Sequence, residues 1–394
     1  MPNTASPPLL HNVQRLKVLS AGIASLILMI GIARFAYTPM LPLMQQHAGL
    51  GVAQGGWLAA FNYAGYFCGA LIAANISDLA KKDLLYRLGL LVALATTIGL
   101  GLTQNFWLWG LLRFFSGLSS AAGLLLGSGL VMHWLLRHQL RSELGIHFIG
   151  MGSGIFFTAL FVYLVAGQIS WQQHWFWFTA LGCLLAIPAW FWLPKPNTSG
   201  YNVGGEKMVD KPPSPQFLQM FMLAYFFAGV GYAVITTFIV AHVNQITGDH
   251  EYGSVTFMII GLAAAPACII WDLVARKLGN LNALLLAFVL QFTGMLIPIL
   301  SPGLIWTFIG AGLFGGTFIG IVSLVLTMAG RYFPTRPAKM MGKMTLSYGV
   351  AQIASPAAAG VLSQWSGSYH LSIIISCGIM FVGCGLIYRL RHHE

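Results

Sequence analysis

The stretch Gly31-Ile32-Ala33-Arg34-Phe35-Ala36-Tyr37-Thr38-Pro39-Met40-Leu41-Pro42 follows a largely apolar run from Val18 to Ile30. A run of that length reads as a helix crossing a bilayer. An arginine inside it is costly, about 3 to over 10 kcal/mol at a bilayer centre, and such a side chain faces a wet cavity or a partner. Pro39 and Pro42 remove two backbone donors from the same helix. A charge and a soft point therefore sit close together in one segment. A second arginine, Arg113, falls within the apolar stretch Trp109 to Trp134, and the rest of the chain is read from these two.

The composition excludes a soluble protein. Only 7% of the 394 residues are charged and 57% are hydrophobic, against about 25% charged in a soluble domain. Mean hydropathy is +0.76. The five cysteines (Cys68, Cys183, Cys268, Cys377, Cys384) fall in apolar spans without metal-ligand spacing, so they read as small core residues. No small-residue cleavage site follows the first apolar segment, which is therefore expected to be a span and not a removed leader.

Apolar segments of spanning length fall near 16–43, 54–76, 84–104, 106–134, 144–167 and 174–193, then near 216–242, 253–275, 281–300, 303–331, 340–363 and 368–390. Between the two sets lies a polar, proline-rich stretch from Pro194 to Pro215. The basic residues test this division. With the N-terminus inside, 18 of the 20 Lys and Arg fall in inside segments and none in outside loops; the remaining two are Arg34 and Arg113. That is the positive-inside pattern. It assigns the net charge of +11 to membrane orientation and removes the need for a nucleic-acid partner. The expected fold is all-α and polytopic: twelve transmembrane helices in two six-helix halves, 1–193 and 216–394, joined by a cytoplasmic linker at 194–215, with both termini cytoplasmic.

The halves echo each other. Asp78-Leu79-Ala80-Lys81-Lys82 follows the second span, and Asp272-Leu273-Val274-Ala275-Arg276-Lys277 follows the eighth. Glycine-rich stretches occupy the fourth and tenth spans. Such a duplication indicates a transporter with its site between the halves, near the midplane.

Arg113-Phe114-Phe115-Ser116-Gly117-Leu118-Ser119-Ser120-Ala121 resembles the fourth-helix pattern of the major facilitator superfamily. Asp272, Arg276, Lys277 and Gly279 resemble part of its loop motif, while the first copy keeps Asp78, Lys81 and Lys82 but lacks the usual glycine-arginine pair. Gly150, Gly152 and Gly154 stand in the fifth span without the proline of drug/proton antiporters. Gly31-Ile32-Ala33-Arg34-Phe35, Asn62-Tyr63-Ala64-Gly65-Tyr66 and Gly261-Leu262-Ala263-Ala264-Ala265-Pro266 resemble the YbfB/YjiJ-type bacterial branch. The resemblance covers nearly the whole chain. It implies an inner-membrane, multi-pass secondary transporter working by alternating access as a monomer, with export favoured over uptake, and it implies no substrate.

Counted along their helices, Arg34 and Arg113 lie at one depth, roughly 10–12 Å below the outer surface. Two guanidiniums there could clamp a carboxylate or phosphate. In the competing reading each bonds helix carbonyls and stiffens its half. None of the nine Asp and Glu lies deep in a span, which favours an anionic small-molecule substrate and leaves proton coupling to His133, His147 or the substrate itself. Tyr37 and Thr38 follow Arg34 at i+3 and i+4 and should share its face. Asn62, Tyr63 and Tyr66 in the second helix, Tyr225 and Tyr232 in the seventh, and Tyr348 and Gln352 in the eleventh complete a set of polar groups suited to a small-ligand site. Gly310-Ala311-Gly312-Leu313-Phe314-Gly315 matches a dinucleotide pattern, but it lies in an apolar span with no strand before it, and no cofactor is expected. Multidrug efflux is the alternative within transport, and an integral-membrane enzyme or sensor is the remote one.

Overall fold

The computed structural model describes residues 8–76, 78–138, 144–165, 167–196, 212–301, 303–332 and 337–391. Most of the linker expected at 194–215 lies outside these residues. The described chain is helical throughout. Helix α1 runs from Pro8–Leu26 through a π-helical stretch, Ile27–Phe35, into Tyr37–His47. Next come α2 (Val52–Asn75), α3 (Leu79–Leu102) and α4, which runs Phe106–Ala121, continues as π-helix over Ala122–Gly127 and ends as Ser128–Arg137. The first six segments close with α5 (Leu144–Val165) and α6 (Trp171–Phe191). The second six are α7 (Pro215–Thr247), α8 (His250–Ala264, then Ala267–Leu278), α9 (Asn280–Leu300), α10 (Leu304–Tyr332), α11 (Pro337–Ser366) and α12 (His370–Arg391).

These segments coincide with the apolar runs of the sequence. Nine helices among the described residues are long and apolar enough to cross a membrane, or ten if the two parts of α8 count as one span. The parts of α8 meet at 47°. Pro266 stands at the break, where it has no N–H to return to the preceding turn. The two segments short of the apolar criterion are α2 and α11. They carry Gln54, Asn62, Gln352 and Ser355 among their residues, and they pack against each other.

Contact between helices rests on missing side chains. A Cβ on Gly31 would lie 2.5 Å from Gly154 Cα, so α1 and α5 touch backbone to backbone. A Cβ on Gly56 would collide with the carbonyl oxygen of Pro356, which brings α2 against α11 across the two sets of six. In α10 the glycines four apart, Gly312 and Gly316, suit a small-residue helix contact by their spacing, but the tight approaches fall at other positions. Gly312 and Gly316 meet no close neighbour; Gly315, against Ile260 O, and Gly320, against Trp271, make the tight approaches.

Large side chains sort by face. Trp109, Trp175, Phe238 and Phe288 are fully buried between helices. Trp107, Phe191 and Trp365 are 73%, 74% and 81% exposed on the outside of the bundle, where bilayer-interface aromatics belong. The described Lys and Arg other than Arg34 and Arg113 flank the ends of segments on one side. That side is called the basic side below, and the opposite one the lysine-free side.

The α1–α5 contact makes a direct expectation. Gly31→Val should cost about 1–3 kcal/mol through overpacking and lower the melting temperature of purified protein. Gly129→Ala, at a helical glycine with no neighbour within 4 Å of the new Cβ, should leave it unchanged or raise it.

Candidate functional site

The site begins with a backbone irregularity. Pro39 cannot donate to a carbonyl one turn back, and α1 accommodates it by widening: Ala36 N donates to Gly31 O at 2.8 Å, a bond to the fifth residue back. Carbonyls of this stretch take their donors from α4. Ser116 Oγ donates to Ala33 O at 2.5 Å, and Ser120 Oγ to Met29 O at 2.7 Å. Arg113 donates from Nη1 to Ala33 O at 3.1 Å and Arg34 O at 3.4 Å, and from Nε to Leu58 O at 3.4 Å. Arg113, Ser116 and Ser120 are spaced along one face of α4, matching the spacing of the carbonyls they serve.

Around Arg113 the other groups are also engaged with helices. Tyr37 places its ring 4.4 Å from Arg113 Cζ and donates its hydroxyl to Gly55 O at 2.8 Å. Asn62 Nδ2 donates to Arg113 O at 3.0 Å and Ser116 Oγ at 3.1 Å. Arg113 is 2% exposed. Its carbonyl bonds match the second of the two readings of the sequence, an arginine that ties three helices together.

Arg34 is placed differently. It is 7% exposed and donates from Nη2 to Tyr232 Oη at 3.3 Å. Its Cζ lies 4.8 Å from the Tyr63 ring centre and 4.6 Å from that of Tyr66. Its Nε is buried without a hydrogen-bond partner. No salt bridge among the described residues includes it; those present are Arg87–Asp83 and Arg276–Asp272. The charge is thus held by aromatic faces and one neutral hydroxyl. The space shared by Arg34 and Arg113 is only ≈ 10 Å³, too small for an organic anion between them.

The larger space lies on the other side of Arg34. A cavity of ≈ 190 Å³ is lined by Arg34, Tyr66, Tyr225, Tyr232, Tyr348 and Gln352, together with apolar side chains from α4, α5 and α10. Six of the expected residues therefore meet on one cavity, drawn from α1, α2, α7 and α11. Tyr63, Tyr37, Asn62 and Arg113 border the smaller space instead. One wall of the cavity is a run of nearly parallel rings. Tyr225 stacks on Tyr348 at 4.4 Å, Tyr348 on Tyr232 at 5.7 Å, and Tyr232 on Phe318 at 5.3 Å. Gln352 Oε1 is buried without a partner.

Toward the lysine-free side, bonds cross between the first and second six helices. Thr38 Oγ1 donates to Thr236 O at 2.5 Å. Thr236 Oγ1 donates to Tyr232 O at 2.7 Å, which leaves Tyr63 to donate to Thr236 Oγ1 at 3.1 Å. Further out, Gln45 Nε2 donates to Tyr369 Oη at 2.9 Å, and Ala53 N to Gln364 Oε1 at 3.2 Å.

The remaining sequence candidates lie elsewhere. His147 is fully buried, with Nε2 2.8 Å from Ser128 Oγ and its ring against Gly22, and it does not line the cavity. The His133 side chain lies outside the described residues. Asp78 caps α3, accepting from Ala80 N at 2.8 Å and Lys81 N at 3.4 Å, next to Lys82. Asp272 pairs with Arg276 at 2.5 Å on an exposed surface beside Lys277, a pair worth at most about 1 kcal/mol. Sequence reasoning passed over Asp83 and Arg87: Arg87 pairs with Asp83 at 3.0 Å and donates to the carbonyls of Trp190 and Leu193, joining α3 to α6. It also passed over Thr236 and Phe318. Thr236 had a signal, its place four residues after Tyr232 on α7; Phe318 had none. No cluster of His, Cys, Asp or Glu suited to a metal ion occurs among the described residues.

Comparisons with known proteins agree with this architecture. The family described as "Uncharacterised MFS-type transporter YbfB" matches residues 26–388. An "Uncharacterized MFS-type transporter YceJ" from Bacillus subtilis (strain 168) is 31% identical over 97 residues. That match spans a quarter of each chain. Crystal structures titled nucleoside transporter NupG share the fold. A point mutant of NupG superposes with a TM-score of 0.75 at 13% identity, over 95% of this chain and 99% of that one. A second NupG structure gives 0.73 at 12% identity, over 96% and 98%.

The two arginines should separate by experiment. Arg113→Leu removes the side-chain donor from the carbonyls of Leu58 and Arg34 and one of two from Ala33, and should cost about 1–3 kcal/mol, read as a lower melting temperature in detergent. Arg34→Leu removes a buried charge that lacks an ionic partner, and its loss of thermal stability should be clearly smaller.

Proposed function

Since the chain belongs to the MFS-type transporter family described as YbfB, we propose that it carries a small organic anion across the membrane by alternating access, with Arg34 as the anion-binding group. One observation carries the reading: Arg34 is buried on the cavity without an ionic partner, its Nε unpaired. A buried guanidinium is stabilised by a carboxylate far better than by rings alone, and its planar fork fits one. The cation of Arg113, by contrast, is occupied with carbonyls and serves as a positioning group for α1.

The proposed arrangement is twelve spans in two six-helix bundles, 1–193 and 216–394, with a cytoplasmic linker at 194–215 and both termini in the cytoplasm. Retention of 18 of the 20 basic residues on one side supports it. The protein acts as a monomer in a bacterial inner membrane, without cofactor or nucleic acid. The bonds of Thr38, Gln45 and Ala53 to the second bundle favour a state closed toward the lysine-free, outer side. The NupG title names nucleosides as that protein's cargo. Here the cationic side chain on the cavity favours a charged one. No Asp or Glu lines that cavity, so a coupling proton would travel with the substrate or through a histidine. Export is favoured by the family likeness alone. The aromatic wall would also suit amphipathic drugs, and a ligand profile dominated by lipophilic cations would replace the anion reading.

A thermal-shift screen of purified protein against carboxylates, organophosphates, sugars and lipophilic cations tests the reading. An anion at ~100 times its Kd should stabilise the wild type by about 2.7 kcal/mol and should not stabilise Arg34→Leu. Arg34→Lys keeps the charge but loses the fork, so its transport should fall while folding survives. Normal transport by Arg34→Leu would sink the proposal. Alternating access has its own test: Ala53→Cys with Gln364→Cys, in a background lacking the five native cysteines, should cross-link. Cross-linking should arrest transport until the bond is reduced; undiminished transport would refute the cycle.

A further inference from the structure

We infer that the anion is a single aromatic ring bearing one carboxylate and one hydrogen-bond donor, a molecule of hydroxybenzoate size. The inference rests on the anion reading above and adds three observations to it. The first is size. The cavity measures ≈ 190 Å³, and an apolar cavity of about 150 Å³ takes benzene. What is left over accommodates a carboxylate and a hydroxyl and is small for a second fused ring.

The second observation is the shape of the wall. Tyr225, Tyr348, Tyr232 and Phe318 form a continuous series with interplanar angles of 24°, 29° and 25°. Rings stacked on one another cover each other's faces and leave their edges for a ligand. The π face of a planar ring gains edge-to-face contacts from them that a puckered aliphatic ring of equal volume cannot make. Arg34, itself against the faces of Tyr63 and Tyr66, supplies the charge for the carboxylate.

The third is Gln352. It is 3% exposed, it lines the cavity, and its Oε1 has no hydrogen-bond partner. A buried amide oxygen left unpaired is costly, and a ligand hydroxyl or amino group would satisfy it. A site built around such a group rejects the analogue that lacks the donor. Arg34 thus offers donors, Gln352 an acceptor and the stacked rings their edges to one molecule in the cavity.

The test is a binding series on the purified full-length protein, using 4-hydroxybenzoate, benzoate, cyclohexanecarboxylate, 1-naphthoate, phenol and benzylamine. Benzoate should bind about 10-fold more tightly than cyclohexanecarboxylate. Naphthoate should bind more weakly than benzoate. 4-Hydroxybenzoate should bind about 10-fold more tightly than benzoate. Gln352→Leu should bring that last ratio toward one while benzoate still binds. The wild-type series alone decides the matter if the variant fails to fold. Equal affinity for benzoate and cyclohexanecarboxylate would overturn the aromatic inference and leave the anion reading standing. Binding of phenol or benzylamine in preference to every carboxylate would overturn both.

Discussion

A guanidinium taken out of water must recover hydrogen bonds and charge compensation from whatever surrounds it. In this protein the two buried guanidiniums recover them in opposite ways. Arg113 takes backbone carbonyls from α1 and α2, in a stretch of α1 whose own ladder is disturbed ahead of Pro39. The arginine and the irregular helix complete each other, since carbonyls without donors meet donors without an anion. Arg34 is offered rings and a phenol, which soften the cost of burial without neutralising the charge. The difference assigns one arginine to architecture and the other to the proposed ligand.

This dependence runs through the rest of the bundle. The carbonyls that bind Arg113 are presented only because α1 is held against α4 and α5. The approach to α5 exists because neither Gly31 nor Gly154 has a side chain. From the same stretch of α1, Arg34 reaches toward α7 and Thr38 bonds its backbone. A single irregular segment therefore links the packing of the first six helices, the wall of the cavity and the contacts that hold the two sets of six together.

Much of this was legible in the sequence, and the limit has a physical cause. Apolar runs located the helical segments because each run is long compared with a turn. Residues on regular helices were grouped correctly: Tyr225 and Tyr232, seven apart on α7, and Tyr348 and Gln352, four apart on α11, all line the cavity. The grouping holds only in part where the helix stops being an α-helix. Tyr37 and Thr38 border one small space with Arg34, yet only Arg34 reaches the larger cavity, while Tyr37 turns to Arg113 and Gly55, and Thr38 to Thr236. Bonding to the fifth residue back changes the angle between successive residues, so positions counted at 3.6 per turn slip around the axis. Asn62 shows a different limit. Its spacing placed it correctly on α2, but spacing cannot say whether a buried amide bonds a ligand or, as here, the carbonyl of Arg113 and the hydroxyl of Ser116.

The missing counter-charge beside Arg34 also bears on the energetics of membrane voltage. In the proposed cycle, an empty carrier reorients with a net positive charge in its cavity, and a carrier loaded with a monoanion reorients with none. Moving one elementary charge across the whole membrane is worth about 2.3 kcal/mol per 100 mV. Any part of that field that falls across Arg34 would act on the empty carrier and pass over the loaded one. A single unpaired side chain would then set which half of the cycle responds to the membrane potential.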